Sequence, residues 1–187
     1  MRASFLVVAA ALVLAGCGGT KTVTETQTVV HTTTVTVTTT PKPSTAANAC
    51  TGDAMTGTFT VIAGSAGAGQ IAYRLHVTNA SPVACFVSGL PNVQLVGASG
   101  QDLPTNVVEN GQATAAKVVL QPNASANADA RFSPDIPGGS EPTDSPCEPK
   151  ATTLRAAFGG APLDISVSPP TPVCERGTLQ FSVFTAG

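Results

Sequence analysis

The sequence predicts an all-β protein: an antiparallel, immunoglobulin-like β-sandwich of seven to nine strands over residues 48–187, preceded by an export signal and a Thr-rich stalk. Three observations carry this reading. Apolar residues in the C-terminal part recur with a period of two, clusters of Gly, Pro, Asn and Ser punctuate them at short intervals, and no run of about twelve residues shows helical periodicity.

The first element is the leader, residues 1–16. Arg2 is followed by the apolar run Phe5 to Leu14, which is too short for the roughly 20 residues a spanning helix needs and has the proportions of a signal peptide. Leu14-Ala15-Gly16-Cys17 resembles the lipobox of bacterial lipoproteins, with two small residues ahead of the one strongly nucleophilic side chain. The resemblance implies cleavage before Cys17 and lipidation of its sulfur, with diacylglyceryl and palmitate-type chains. At about 0.8 kcal/mol per buried methylene, two or more chains hold a protein to a membrane where one does not.

Residues 17–47 form the second element. Thr20 to Thr40 is dominated by Thr and Val, and Pro41-Lys42-Pro43-Ser44 closes it. The segment lacks the large apolar groups needed to offset ordering entropy, and its β-branched residues disfavour helix. It reads as an extended stalk, on the order of 90 Å if straight, and as an acceptor of O-linked sugar. Val23, Val30 and Val37 are spaced by seven, but Thr and Gln fill the remaining seam positions and argue against a coiled coil. The Thr34–Thr38 alternation also suits an edge strand.

The third element is the domain. Ile71, Tyr73, Leu75 and Val77 fall on one face, with Ala72, Arg74, His76 and Thr78 on the other. Val93 and Leu95, then Leu163, Ile165 and Val167, then Leu179, Phe181 and Val183 repeat the pattern, and 59–62, 116–120, 127–132 and 153–158 are further candidate strands. Turn clusters lie at 64–69, 79–82, 97–100, 137–139 and 169–170.

The five cysteines resolve once Cys17 is set aside as the lipid carrier: Cys50, Cys85, Cys147 and Cys174 remain. After export, four cysteines read as two disulfides with three possible connectivities, of which the sequential Cys50–Cys85 and Cys147–Cys174 is preferred. A zinc site is disfavoured because no Cys-x-x-Cys pair is present. The formal charge is −2 and charged residues are 11% of the chain, which argues against nucleic acid as a partner. The bias toward Ala, Gly, Pro and Thr suggests a GC-rich genome.

The domain also resembles a family of actinobacterial lipoprotein domains without an assigned molecular function. The residues concerned are Cys50, Gly64 to Gly67, Leu75 to Asn79, Cys85 with Gly89, Leu90, Pro91, Val93 and Leu95, then Leu120-Gln121-Pro122, Ala126, Cys147 and Cys174. Where the family usually carries Gly after that Pro, this chain has Asn123, a residue that also tolerates positive φ. The resemblance implies a fold and a compartment, not an activity.

Chemistry is sparse. His76 is the single histidine of the domain and is expected on the exposed face. Neither a Gly-x-Ser-x-Gly elbow nor a paired-histidine metal motif is present. Gly67-Ala68-Gly69-Gln70-Ile71-Ala72 spells a loose dinucleotide pattern, but it precedes a strand rather than a helix. Asp129, Asp135, Glu141, Asp144 and Glu148 are too dispersed along their Pro- and Gly-rich stretch for a calcium loop. The long loop from Ser133 to Pro149 is the first place to look for a binding surface. The expectation is a non-enzymatic interaction or structural domain, without cofactor or metal, displayed in the cell envelope from a lipid anchor. Its partner would be an envelope protein or a glycan. The alternative is a carrier of a small ligand, lipid or metal.

Overall fold

A computed structural model describes residues 47–111, 116–139, 141–143 and 146–187. The expected signal peptide, the expected lipidation site Cys17, all of the expected stalk but Ala47, and Asp144 lie outside the described residues. The strands are β1 (Asn48–Ala49), β2 (Met55–Val61), β3 (Ile71–Asn79), β4 (Cys85–Ser88), β5 (Val93–Gly97), β6 (Asn106–Glu109), β7 (Lys117–Leu120), β8 (Ser125–Phe132), β9 (Ala151–Ala156), β10 (Leu163–Thr171), β11 (Thr178–Phe181) and β12 (Thr185–Ala186). Their long sheet runs β5-β9-β10-β2-β3-β8-β11-β6, with β12 beside β8, and a smaller sheet runs β1-β4-β7. The protein is all-β, as expected, with its sheets folded into a sandwich that approaches a barrel.

Two expectations need correction. The sheets are mixed rather than antiparallel: β10 runs parallel to β2, β11 to β6, and β1 to β4. A period of two is the same in either direction, so alternation alone does not reveal which way a neighbour runs. The described residues also hold twelve strands, not seven to nine. The unanticipated ones are β1, β4, β6 and β12, of two to four residues each, too short for alternation to register.

The centre of the sheet follows the sequence pattern. Tyr73, Leu75 and Val77 of β3 are buried, while Arg74 opposite them is exposed. On β8 the buried set is Ala126, Ala128, Ala130 and Phe132. Register explains the alanines: Ala128 pairs with Leu75, which pairs with Phe59, and Ala130 lies between Tyr73 and Phe181. The small side chains make room for a stack of rings, with Phe59–Tyr73 centroids at 5.2 Å, Tyr73–Phe132 at 5.3 Å and Phe59–Phe181 at 6.2 Å. β2 and β11 are three strands apart, about 14 Å at the usual strand spacing. Their rings meet because the sheet curls inward over β8. The Tyr73 hydroxyl donates to the Pro169 carbonyl at 2.9 Å, and burial raises its pKa.

Both disulfides pair sequentially. Cys50–Cys85 joins the end of β1 to the start of β4, and Cys147–Cys174 ties the long loop to the segment before β11. Turn chemistry is local. Ala68 (φ 49°) and Gly69 (φ 72°) form the two-residue tip of the β2–β3 hairpin, where Gly67 and Gln70 exchange backbone hydrogen bonds. Asn123 adopts φ 64° and donates its N–H to the Asn79 carbonyl at 2.8 Å, so the turn survives without glycine. Asn79 itself is fully buried, and its amide donates to the carbonyls of Val83 (2.8 Å) and Leu120 (3.0 Å) while accepting from the Ser81 N–H (3.0 Å) and hydroxyl (2.8 Å). One side chain thereby holds the β3–β4 turn against the end of β7.

Candidate functional site

The candidate residues fall into separate groups. His76 stands on the outer face of β3 as expected, but half-buried rather than exposed. Its Nδ1 is 2.8 Å from Asn127 Oδ1 and its Nε2 is 3.3 Å from the Thr78 hydroxyl, so both ring nitrogens are engaged by neighbours on the sheet. Asp129 belongs to β8, not to the acidic loop, and binds Arg74 through two contacts of 2.7 and 2.8 Å. Both side chains are more than a third exposed, so solvent screens the pair and its contribution stays below about 1 kcal/mol. The glycine pattern at 67–72 forms the hairpin tip just described and places no helix N-terminus at its end.

Several of the described residues of the loop 133–149 are held by hydrogen bonds. Ser133 is buried, and its hydroxyl bonds both the N–H and the carbonyl of Ile136. Ile136 lies over the β2–β3 hairpin: a Cβ at Gly69 would sit 1.9 Å from its Cδ1. Further along, the Glu141 carboxylate accepts the N–H groups of Gly138 (2.7 Å), Glu175 (2.8 Å) and Arg176. Glu175 and Arg176 both have φ 56° and ψ 43°, and Gly177 follows at φ 72°, which makes one left-handed turn. Left-handed residues with a Cβ cost roughly 1–2 kcal/mol each, and successive N–H groups in this geometry form a cradle for an anion. Glu141 fills that cradle from 34 residues upstream. At Gly177 the fold has no space for a side chain, since a Cβ would lie 1.8 Å from the Pro104 carbonyl oxygen.

The electrostatics follow from this geometry. Desolvation pushes the Glu141 pKa up, but the N–H groups of Arg176, Gly138 and Glu175 and the Arg176 charge together outweigh it, and the carboxyl titrates below its ordinary value. Glu148 moves the other way, raised by burial and by the charge of Glu141. Glu141, Cys147 and Cys174 offer ligand atoms within 4.8 Å of one another. The two sulfurs are bonded to each other and the carboxylate is already taken up by N–H donors, so the cluster is a structural clamp.

These contacts give the domain two distinct ends. Loop 133–149, the hairpin tip and the left-handed turn share one end. The chain enters at the other, where Cys50 bonds Cys85 and Met55 pairs with Asn79. The nine residues of β3 separate the ends by about 27–30 Å. Beside the point of entry lies an apolar cleft of about 150 Å³, lined by Ala49, Phe86, Leu90, Pro91, Phe158 and Phe184 among others. Sequence reasoning missed it because its walls come from segments far apart in the chain.

Two disulfides are characteristic of an oxidising, non-cytoplasmic compartment, and among the described residues no helix is long and apolar enough to cross a membrane. Comparison with curated proteins gives no match, and comparison with solved structures gives none either. Comparison with protein families gives one, over residues 50–185. It runs from the first disulfide cysteine to the final strand, and it bears out the resemblance to a domain family without an assigned function. The chain belongs to the family described as domain of unknown function (DUF4232).

Proposed function

We propose that the protein is a non-enzymatic binding module of an actinobacterial-type cell envelope, lipidated on Cys17, carried on the 17–47 stalk and presenting loop 133–149 to an envelope protein or a glycan. The observation that carries this reading is the polarity of the domain. The point where the chain enters the domain and the loop lie at opposite ends of β3, so the loop is at the end remote from the attachment and free to meet a partner. Pre-organisation supports it as well. A loop held by a disulfide, by Glu141 and by Ser133 loses less conformational freedom on binding than a free loop of the same length. The immunoglobulin-like form of the sandwich is supported by the β2–β3–β8 run and the β9–β10 hairpin, although the parallel β6–β11 pair departs from it.

The carrier alternative has less support. The cleft of about 150 Å³ falls below the roughly 300–1,000 Å³ of sites that enclose drug-sized ligands. An enzymatic reading finds its only domain histidine, His76, already hydrogen-bonded within the sheet face. The test is cross-linking in intact cells followed by purification. The expected result is a reproducible partner that is lost when residues 133–149 are replaced by a short Gly/Ser linker, with Cys17→Ser releasing the protein from the membrane fraction. Recovery of the same partner by the loop-replaced protein overturns the assignment of the loop.

A further inference from the structure

The chain holds seven asparagines, and six of them are followed by Ala or Val. Asn110 alone is followed by glycine. Several of the others have their side chains held: Asn79 is enclosed by its four hydrogen bonds, Asn106 bonds the Thr178 hydroxyl and Asn127 bonds His76. Asn110 is exposed, one residue past the end of β6, and no described residue holds its side-chain amide.

The backbone is anchored on one side of this residue and open on the other. The Asn110 N–H donates to the Phe181 carbonyl at 2.8 Å, which ties it to β11. Gly111 turns away at φ 97°, with open space where a Cβ would stand, and no described residue accepts from its N–H. A glycine nitrogen is the least hindered nucleophile the main chain offers, because no side chain shields it. Asparagine is among the thermolabile residues for this reason: its amide carbon lies within reach of the next backbone nitrogen.

We propose that Asn110–Gly111 is a site of spontaneous covalent modification, at which the asparagine converts to aspartate and isoaspartate through a cyclic imide. The Gly111 nitrogen attacks Cγ of Asn110, and the new C–N bond closes a five-membered ring. The bond from Cγ to the amide nitrogen breaks, and ammonia departs with the proton of the Gly111 N–H. Water then opens the ring. Attack at Cγ gives aspartate; attack at the backbone carbonyl gives isoaspartate, whose main chain runs through Cβ and Cγ. Nothing is oxidised or reduced. Each event adds a carboxylate beside Glu109, and the isoaspartate form lengthens the backbone just beyond β6 while the hydrogen bond to Phe181 stays in place.

The exported protein and the blocked pentapeptide Val-Glu-Asn-Gly-Gln are incubated side by side in mildly alkaline buffer and followed by peptide mass spectrometry and isoelectric focusing. The segment holding residues 110 and 111 should gain one mass unit at a rate within about ten-fold of the free pentapeptide, ten-fold being about 1.4 kcal/mol of barrier. Isoaspartate should be the larger product, identified by electron-transfer fragmentation. Asn92 and Asn123, also exposed but followed by Val and Ala, are internal controls and should react at least about ten-fold more slowly. Asn110→Gln, which would need a six-membered ring, should stop the acidic form from accumulating and leave the melting temperature unchanged. A site more than about ten-fold slower than the pentapeptide, equal rates at Asn92 or Asn123, or the same acidic form accumulating in Asn110→Gln each overturns the proposal.

Discussion

Replacing Asn79 by Ala removes four hydrogen bonds made by a fully buried side chain. Their values differ. Val83 is 68% exposed, so solvent can replace the donor its carbonyl loses. Leu120 is 1% exposed and pairs with Cys85 across the β4–β7 ladder, so its carbonyl loses one buried donor that solvent does not replace, at about 0.5–1.5 kcal/mol. The two bonds from Ser81 contribute about 0.5–1.5 kcal/mol each. The sum is about 3 kcal/mol, and for a domain of this size roughly 4 °C of melting temperature accompanies each kcal/mol, which gives a drop of about 12 °C. The assay is thermal and guanidinium unfolding of the exported protein, disulfides intact, followed by circular dichroism. Asn79→Asp sharpens it. The carboxylate still accepts from Ser81 but faces two carbonyls, so its pKa rises above that of the unfolded chain. The variant is therefore less stable than Asn79→Ala at neutral pH and regains stability as pH falls through that raised pKa. A loss under about 1 kcal/mol for Ala, or an Asp variant as stable as wild type at neutral pH, would refute the reasoning.

Other consequences are open to direct measurement. Cys147→Ser with Cys174→Ser opens a crosslink closing 27 residues, and the expected loss is about 3 kcal/mol, with new proteolytic cuts between 133 and 149 while β3 and β8 stay protected from hydrogen exchange. Because the folded pKa of Glu141 is depressed, its contribution is complete above the ordinary carboxylate pKa and is lost as pH falls through the folded value. The protection of the Glu175 and Arg176 amides, taken relative to intrinsic exchange at each pH, should then fall in acid, and Glu141→Gln should make that protection largely independent of pH across the window. Glu148 has the opposite sign, its ionised form being disfavoured in the fold, so Glu148→Gln should raise the unfolding midpoint at neutral pH and leave it unchanged below the ordinary carboxylate range. Ala128→Leu inserts bulk beside Leu75 in the buried layer, and overpacking of this kind costs about 1–3 kcal/mol, read as a lower guanidinium midpoint.

What the sequence made legible depended on how local each signal was. β3 declared itself because Ile71, Tyr73, Leu75 and Val77 alternate with polar residues over nine positions. The cysteine count pointed to an oxidising compartment and two crosslinks but left three connectivities, and the preferred sequential one is the one present in the fold. β4 was hidden because Cys85-Phe86-Val87 is uniformly apolar, and β6 because its pairing with β11 is set by a segment some 70 residues away. The alanines of β8 carry little hydrophobic signal of their own; they are core because rings from β2, β3 and β11 need the space above them. Turn residues spoke for themselves, as Asn123 did, while the Glu141 cradle and the aromatic cleft exist only once distant segments have met.

The Cys50–Cys85 bridge stands at the threshold between tether and domain, and this has a mechanical consequence. In the anchored arrangement proposed above, when the membrane and a partner held at the far loop draw apart, tension enters at residue 47 and reaches Cys50 within three residues. The covalent path then divides, and the sulfur bridge passes the load directly to β4. β2 and β3, the middle of the large sheet, lie on the bypassed arc of 35 residues and stay slack. The load then runs on through residues 85–133, which include β8, so the shelter extends to the backbones of β2 and β3 and not to the ladder between β3 and β8. Reducing agents would abolish this shelter, and the force needed to extend the domain would then fall.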